Sequence, residues 1–138
     1  MATFISNSAA ETEALGQQFA AKVKAGSILA LQGELGAGKT VFTKGLVAAL
    51  GSDNQVTSPT FTILHEYSGG RLPVFHFDFF RLDNGEERLR QIGLDDYFFG
   101  EGVSVIEWPD RFPTVIPQHA CWIRFEMQSP DKRAIHFE

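Results

Sequence analysis

Residues Gly33-Glu34-Leu35-Gly36-Ala37-Gly38-Lys39-Thr40 match G-x-x-x-x-G-K-[ST] without a gap. Nothing else in the chain constrains its fold so tightly, because the pattern works only as the bend between a strand and the first turn of a helix. Both flanks fit. Ser27-Ile28-Leu29-Ala30-Leu31-Gln32 reads as a short buried strand, and Val41 to Leu50 reads as a helix that stops at Gly51. Such a bend points backbone N–H groups at a phosphate, and its glycines permit positive φ and close approach of the main chain. In this chemistry the lysine spans the β- and γ-phosphates and the threonine hydroxyl ligates Mg²⁺. The expected nucleotide contacts are Glu34, Leu35, Gly36, Ala37, Gly38, Lys39, Thr40 and Val41.

The chain has 138 residues, which suits one domain spanning residues 1–138. Apolar residues make up 43%, enough for a core, and the 13 phenylalanines predict that aromatic packing dominates it. No run reaches membrane-span length, and no signal peptide is evident. Cys121 is the single cysteine, so an internal disulfide is excluded and a cytoplasmic protein is expected. The net charge is −5 and the 12 Lys and Arg residues are scattered, which argues against tight autonomous binding of RNA or DNA.

Along the chain, Thr3 to Ser6 suits a short first strand. Ser8-x-x-Glu11 is a capping-box pattern opening a helix with Leu15, Phe19 and Val23 on one stripe, ended by Gly26. Thr60 to Tyr67 and Leu72 to Phe80 read as a β-hairpin turning at Ser68-Gly69-Gly70. Asn84 is a candidate cap for a short helix closed by Gly93. Val103 to Trp108, Ala120 to Met127 and Arg133 to Phe137 read as strands. The expectation is an α/β fold: a three-layer P-loop NTPase-like domain with a mixed parallel and antiparallel sheet and helices on both faces.

A phosphate loop of this kind needs an acid at the end of a neighbouring strand to hold Mg²⁺ or its water. Two segments offer one: Val103-Ser104-Val105-Ile106-Glu107 and Val74-Phe75-His76-Phe77-Asp78. Which acid touches the metal stays open. A hairpin centred on Gly69-Gly70 sets Phe61 opposite Asp78 and brings Thr60 to the same open end, so Ser58-Pro59-Thr60 is a candidate switch segment. The catalytic candidates are therefore Glu107, Asp78 and Thr60, and the metal candidates Thr40, Glu107 and Asp78. The four histidines show no metal-ligand spacing, although His76 can share a face with Asp78. Arg81 and Arg111 each follow a candidate acid closely, where a surface ion pair and a phosphate contact are both open. Trp108 suits either nucleotide or partner packing, or the core. No Asn-Lys-x-Asp motif is present to read guanine, so ATP is the default nucleotide.

Taken in order, GELGAGKT, Ser58-Pro59-Thr60-Phe61, His76-Phe77-Asp78 with Arg81-Leu82, and Glu107-Trp108 resemble the TsaE (YjeE) family, small P-loop ATPases of bacterial tRNA threonylcarbamoyladenosine biosynthesis. The resemblance covers about Ser8 to Pro109. It implies slow Mg²⁺-dependent ATP hydrolysis in partnership with the proteins TsaD and TsaB, with tRNA engaged only through that complex. It also implies phosphate and Mg²⁺ contacts from Lys39 and Thr40, a switch role for Thr60, an acid near the metal at Asp78, a Walker-B-like acid at Glu107, and Trp108 as its neighbour in the family motif. The family often has Tyr where this chain has Phe80. Two other readings of the same scaffold are a small-molecule kinase, with Arg88 and Arg90 as lid candidates, and a nucleotide-gated binding module.

Overall fold

In the computed structural model, which describes residues 2–34, 36–59, 62–82 and 85–138, seven strands form one sheet. In chain order they are β1 (Ala2–Ser6), β2 (Ile28–Gln32), β3 (Leu64–Tyr67), β4 (Val74–Asp78), β5 (Val103–Glu107), β6 (Cys121–Met127) and β7 (Arg133–Phe137). Their spatial order is β1-β7-β6-β2-β5-β4-β3. The middle of the sheet is parallel, with β2 between β5 and β6, and β4 beside β5. The outer pairs β1–β7, β6–β7 and β3–β4 are antiparallel. Parallel strands must be covered on both faces, which is why β2 and β5 are near-continuous apolar runs rather than alternating ones.

Among the described residues the α-helices are α1 (Ala9–Phe19), α2 (Lys39–Ala49), α3 (Gly85–Ile92) and α4 (Leu94–Phe98). Helices α1 and α2 cover one face, where Leu15, Phe19, Phe42 and Leu46 pack on Leu29, Leu31, Val105 and Ile123. Helices α3 and α4 belong to the other, where Leu89, Leu94 and Phe98 meet Ile28, Phe77 and Ile106. The expected three layers are present. Aromatic packing runs through both faces, in edge-on pairs such as Phe19–Phe42 at 5.2 Å and Phe77–Phe98 at 5.9 Å between ring centroids.

Ser8 caps α1 by accepting the Glu11 N–H at 3.1 Å, while the Glu11 carboxylate reaches back to the Asn7 N–H at 3.3 Å rather than to Ser8. The helix ends at Phe19, well before Gly26, although Val23 stays buried with its stripe. The tightest packing is between helices. A Cβ added at Gly16 would lie 2.0 Å from the Phe42 carbonyl oxygen, and one at Gly45 would lie 2.0 Å from the Glu13 carbonyl oxygen. The α1 and α2 backbones therefore touch where only hydrogen fits.

The hairpin differs in register from the expected one. Leu64 pairs with Phe77 and Tyr67 with Val74, and the Asp78 N–H donates to the Ile63 carbonyl at 2.9 Å. Ile63, not Phe61, stands opposite Asp78. The turn spans more residues than its Ser-Gly-Gly core because Arg71 leaves the ladder, its N–H bonding the Leu50 carbonyl at 2.6 Å and its guanidinium the Ala20 carbonyl at 2.6 Å. Ile63 adopts a φ of 71°, unusual for a β-branched residue. Helix α4 was not anticipated. It follows directly on Gly93, which the sequence marks as a helix stop. The proposed Asn84 cap lies outside the described residues.

Candidate functional site

Because β2, β5 and β4 run parallel, their C-terminal ends share one edge of the sheet, where ligands bind in open α/β folds. The glycine loop leaves β2 at this edge and enters α2 at Lys39. Gly36 and Gly38 take φ values of 79° and 102°, which a side-chain-bearing residue adopts only with strain. Gly38 is the α2 N-cap and offers no side chain, so the first-turn amides lack a side-chain acceptor from that position. That is anion-binding chemistry, reinforced by the helix dipole. Arg133 on β7 holds the loop from outside, donating to the Gly36 carbonyl at 3.0 Å.

Lys39 is almost fully buried at 4% exposure. Its ammonium donates to the Gly33 carbonyl at 2.7 Å and sits 3.9 Å from the centroid of the Trp108 ring. Burial pushes its pKa below the ordinary lysine value, and the carboxylates of Glu107, Asp78 and Asp110 pull partly the other way.

Leu31 pairs with Glu107 across β2–β5, and Asp78 pairs with Glu107 across β5–β4. Both carboxylates are buried, at 2% for Asp78 and 4% for Glu107. Glu107 is on the strand adjoining the glycine loop, and Thr40 Oγ1 lies 3.5 Å from its Oε2. Asp78 is one strand further out and accepts the Phe80 N–H at 2.8 Å. Trp108 follows Glu107 in a left-handed conformation (φ 59°) that turns the chain sharply off β5. Its ring stacks on Phe80 at 4.8 Å, so the position where the family often carries Tyr here supplies a packing face.

Lys39, Thr40, Glu107, Asp78 and Trp108 are thus gathered at one place. Gly36, Gly38 and Val41 line a small concavity of about 150 Å³ with Thr12, Asp131 and Arg133. Glu34 lines another, of about 380 Å³, with Gly33 and Trp108. Ala37 is buried beneath the loop. Leu35 and Thr60 lie outside the described residues. Arg111 is committed to the Phe80 carbonyl at 2.6 Å, and Arg88 and Arg90 are exposed on α3.

Three residues at this edge were not anticipated, Asp110, Arg133 and Thr12, nor was Tyr67, which pairs with Val74 at the far end of β4 and reaches back to His76. His76 was kept only as an open case. The alternation of Val74-Phe75-His76-Phe77-Asp78 places His76 and Asp78 on one face of β4, which is the signal that flagged it. In the structure His76 Nε2 lies 2.6 Å from Glu107 Oε2, with both side chains buried.

Comparison with known proteins gives a consistent answer. The family model described as "Threonylcarbamoyl adenosine biosynthesis protein TsaE" matches residues 6–135. A tRNA threonylcarbamoyladenosine biosynthesis protein TsaE from Bacillus subtilis is 44% identical over 127 residues, covering 92% of this chain and 78% of the relative. The protein of the same name from Treponema pallidum is 39% identical over 131 residues, covering 95% and 96%. Among solved structures, a crystal structure of Bacillus subtilis YdiB superposes with a TM-score of 0.85 at 38% identity, covering 99% of this chain and 83% of that one.

Proposed function

This chain belongs to the TsaE family of threonylcarbamoyl adenosine biosynthesis proteins, and from that premise we propose that it is the ATP-hydrolysing component of tRNA threonylcarbamoyladenosine modification. In this reading it is a weak Mg²⁺-dependent ATPase of the cytoplasm that acts on the TsaD–TsaB complex and supports its turnover. It meets tRNA only through that complex. The observation carrying the proposal is the meeting of Lys39 and Thr40, at the start of α2, with Glu107 and Asp78 at the ends of β5 and β4.

The donor set fits Mg²⁺. Two buried carboxylates and a hydroxyl are hard oxygen donors, and Mg²⁺ is ordinarily held by one or two carboxylates with substrate phosphates and waters completing the sphere. Among the described residues no group of three or more His, Cys, Asp or Glu is arranged as an all-protein metal cage, which suits an ion that arrives with its nucleotide. We assign Thr40 and Glu107 to the ion, with Asp78 behind them. When bound, the ion neutralises charge on the phosphate oxygens.

The chain's own residues do the rest. The first-turn amides of α2 and residues Glu34 to Val41 orient the triphosphate. The Lys39 ammonium exchanges the Gly33 carbonyl for phosphate oxygens, where it stabilises charge developing in transfer. Glu107 and Asp78 orient the attacking water, Thr60 acts as the switch threonine, and Trp108, beside the Lys39 ammonium, packs against the nucleotide.

The test is phosphate release from Mg·ATP by the purified protein, alone and with TsaD and TsaB from the same organism. Slow release alone and altered turnover with the partners is expected. Equal, fast hydrolysis in both conditions overturns the partner-dependent assignment, and phosphoryl transfer to a metabolite acceptor in place of phosphate release would make the protein a kinase.

A further inference from the structure

Behind Glu107 lies a line of buried polar groups that the reaction outlined above does not use. His76 is fully buried. Its Nε2 lies 2.6 Å from Glu107 Oε2 and its Nδ1 lies 3.0 Å from the Tyr67 hydroxyl. That hydroxyl reaches both main-chain groups of Thr57, the carbonyl at 3.0 Å and the N–H at 3.3 Å. Thr57 belongs to an irregular, largely exposed stretch between α2 and β3, pinned also by the Ser52 hydroxyl on the Ser68 carbonyl at 2.6 Å, by Asn54 Oδ1 accepting the Ser68 N–H at 2.7 Å, by His65 Nδ1 lying 3.2 Å from the Thr57 carbonyl, and by buried Val56.

The Tyr67 oxygen accepts the Thr57 N–H, and its single proton is shared between two acceptors within reach, the Thr57 carbonyl and His76 Nδ1, while Nε2 faces the Glu107 carboxylate. An interior that needed only to be filled is better served by apolar side chains, because a polar network is stable only when complete. This one runs from an acid at the functional edge to the backbone of a surface segment.

We propose that Tyr67 and His76 are positioning residues that couple the Glu107 carboxylate to segment 53–59, so that occupancy of the nucleotide site is reported at that segment and a partner seated there adjusts the acid. The proposal rests on the nucleotide reading above. Whatever turns the Glu107 carboxylate changes what Nε2 meets, and the displacement passes through the His76–Tyr67 and Tyr67–Thr57 bonds. Coupling between two sites is reciprocal by linkage, so a partner that shifts Thr57 changes the site by the same factor.

The experiment measures amide exchange of peptides covering 53–59 by mass spectrometry, with and without a Mg·ATP analogue, while calorimetry reports binding separately. Wild type is compared with Tyr67→Phe and His76→Gln, each first checked for cooperative thermal unfolding. Glutamine carries an N–H to the region of Nε2, where Glu107 lies, and leaves nothing at the Nδ1 position that Tyr67 meets, so it separates support of the acid from coupling to the segment. The expected result is altered exchange of 53–59 in wild type on binding, and loss of that response in both variants while analogue affinity stays within about threefold. kcat falls about tenfold in Tyr67→Phe with KM little changed, the size common for groups behind a metal-binding carboxylate, and falls less in His76→Gln. Without nucleotide, Glu107→Gln alone shifts the exchange of 53–59 and the ring ¹⁵N resonances of His76. If the analogue binds and the segment responds equally in wild type and both variants, or binds wild type with no response at 53–59, the coupling is overturned while the ATPase reading stands. If wild type binds no nucleotide by calorimetry, the ATPase reading falls and the coupling falls with it.

Discussion

The Lys39 ammonium lies 3.9 Å from the centroid of the Trp108 ring while donating to the Gly33 carbonyl. A cation resting on an indole is a local reporter. Entry of a triphosphate draws Lys39 away, so Trp108 emission changes with saturation by Mg·ATP. Trp122 is the other tryptophan and is partly exposed, so the titration belongs in a Trp122→Phe background. Lys39→Ala should abolish the fluorescence response and weaken ATP binding by about 10–100-fold, the size of a hydrogen bond to a charged group. Unchanged affinity by calorimetry would mean that phosphate does not sit at this lysine.

Glu107 and Asp78 pair across β4–β5, and Glu107 Oε2 lies 3.5 Å from Thr40 Oγ1. Glu107→Gln is therefore expected to keep ATP binding within a fewfold and to slow hydrolysis by about 100-fold or more, as for loss of a positioned acid or base. Asp78→Asn should slow it less. Single-turnover phosphate release measures both, and the reverse order would assign the leading role to Asp78.

Ligand and metal should stabilise the fold together. At free Mg·ATP of 100 times Kd the linkage is about 2.7 kcal/mol, or roughly 8 °C in Tm for a domain of this size. Addition of EDTA should return Tm most of the way to that of the ligand-free protein. A shift that survives chelation would show binding that does not use the carboxylates.

The α1–α2 crossing predicts a large effect from a small substitution. Alanine at Gly16 or Gly45 meets a carbonyl oxygen at 2.0 Å that no rotamer change relieves. Each should destabilise by about 2–3 kcal/mol through overpacking, even though Ala is the better helix former by ~1 kcal/mol. Urea unfolding checks this. A midpoint at or above that of wild type would show that the helices part without cost.

Alkaline stability follows from one buried and one partly buried group. Burial raises the Cys121 thiol above its ordinary 9.0 and the Tyr67 hydroxyl above its ordinary 10.0. Above those values the unfolded chain has released protons that the fold still holds. Stability from these groups is therefore whole below about pH 9 and declines as pH rises through their folded values. Lys39, held below its ordinary 10.5, works in the opposite sense as pH approaches 10.5 from below. Cys121→Ala should delay the onset of the decline in denaturation curves taken between pH 8 and 10.5, and an unchanged onset would rule the thiol out.

Much of this architecture was legible in local pattern. The glycine motif announced β2 and α2, and apolar runs ending in acids announced β4 and β5, because fully buried parallel strands leave that signature. The hairpin register was two residues out, since Arg71 spends its hydrogen bonds on α1 and the end of α2 rather than across the turn, a long-range choice that turn chemistry does not encode. Tyr67 read as one more β-former. Its role depends on standing diagonally across from His76, and only the register reveals that. Nothing local marks Gly16 and Gly45 in the sequence, and what they do is visible only once the helices are docked.

That docking also decides which parts can move. A helix pressed backbone to backbone against its neighbour neither rolls nor slides without lifting off, so the amides at its head keep their aim whether or not they hold anything. Any movement in a working cycle is then to be sought across the pocket, on the side of segment 53–59. Small molecules meant to trap one stage of that cycle should be sought against that side, since the opposite wall has a single shape to offer.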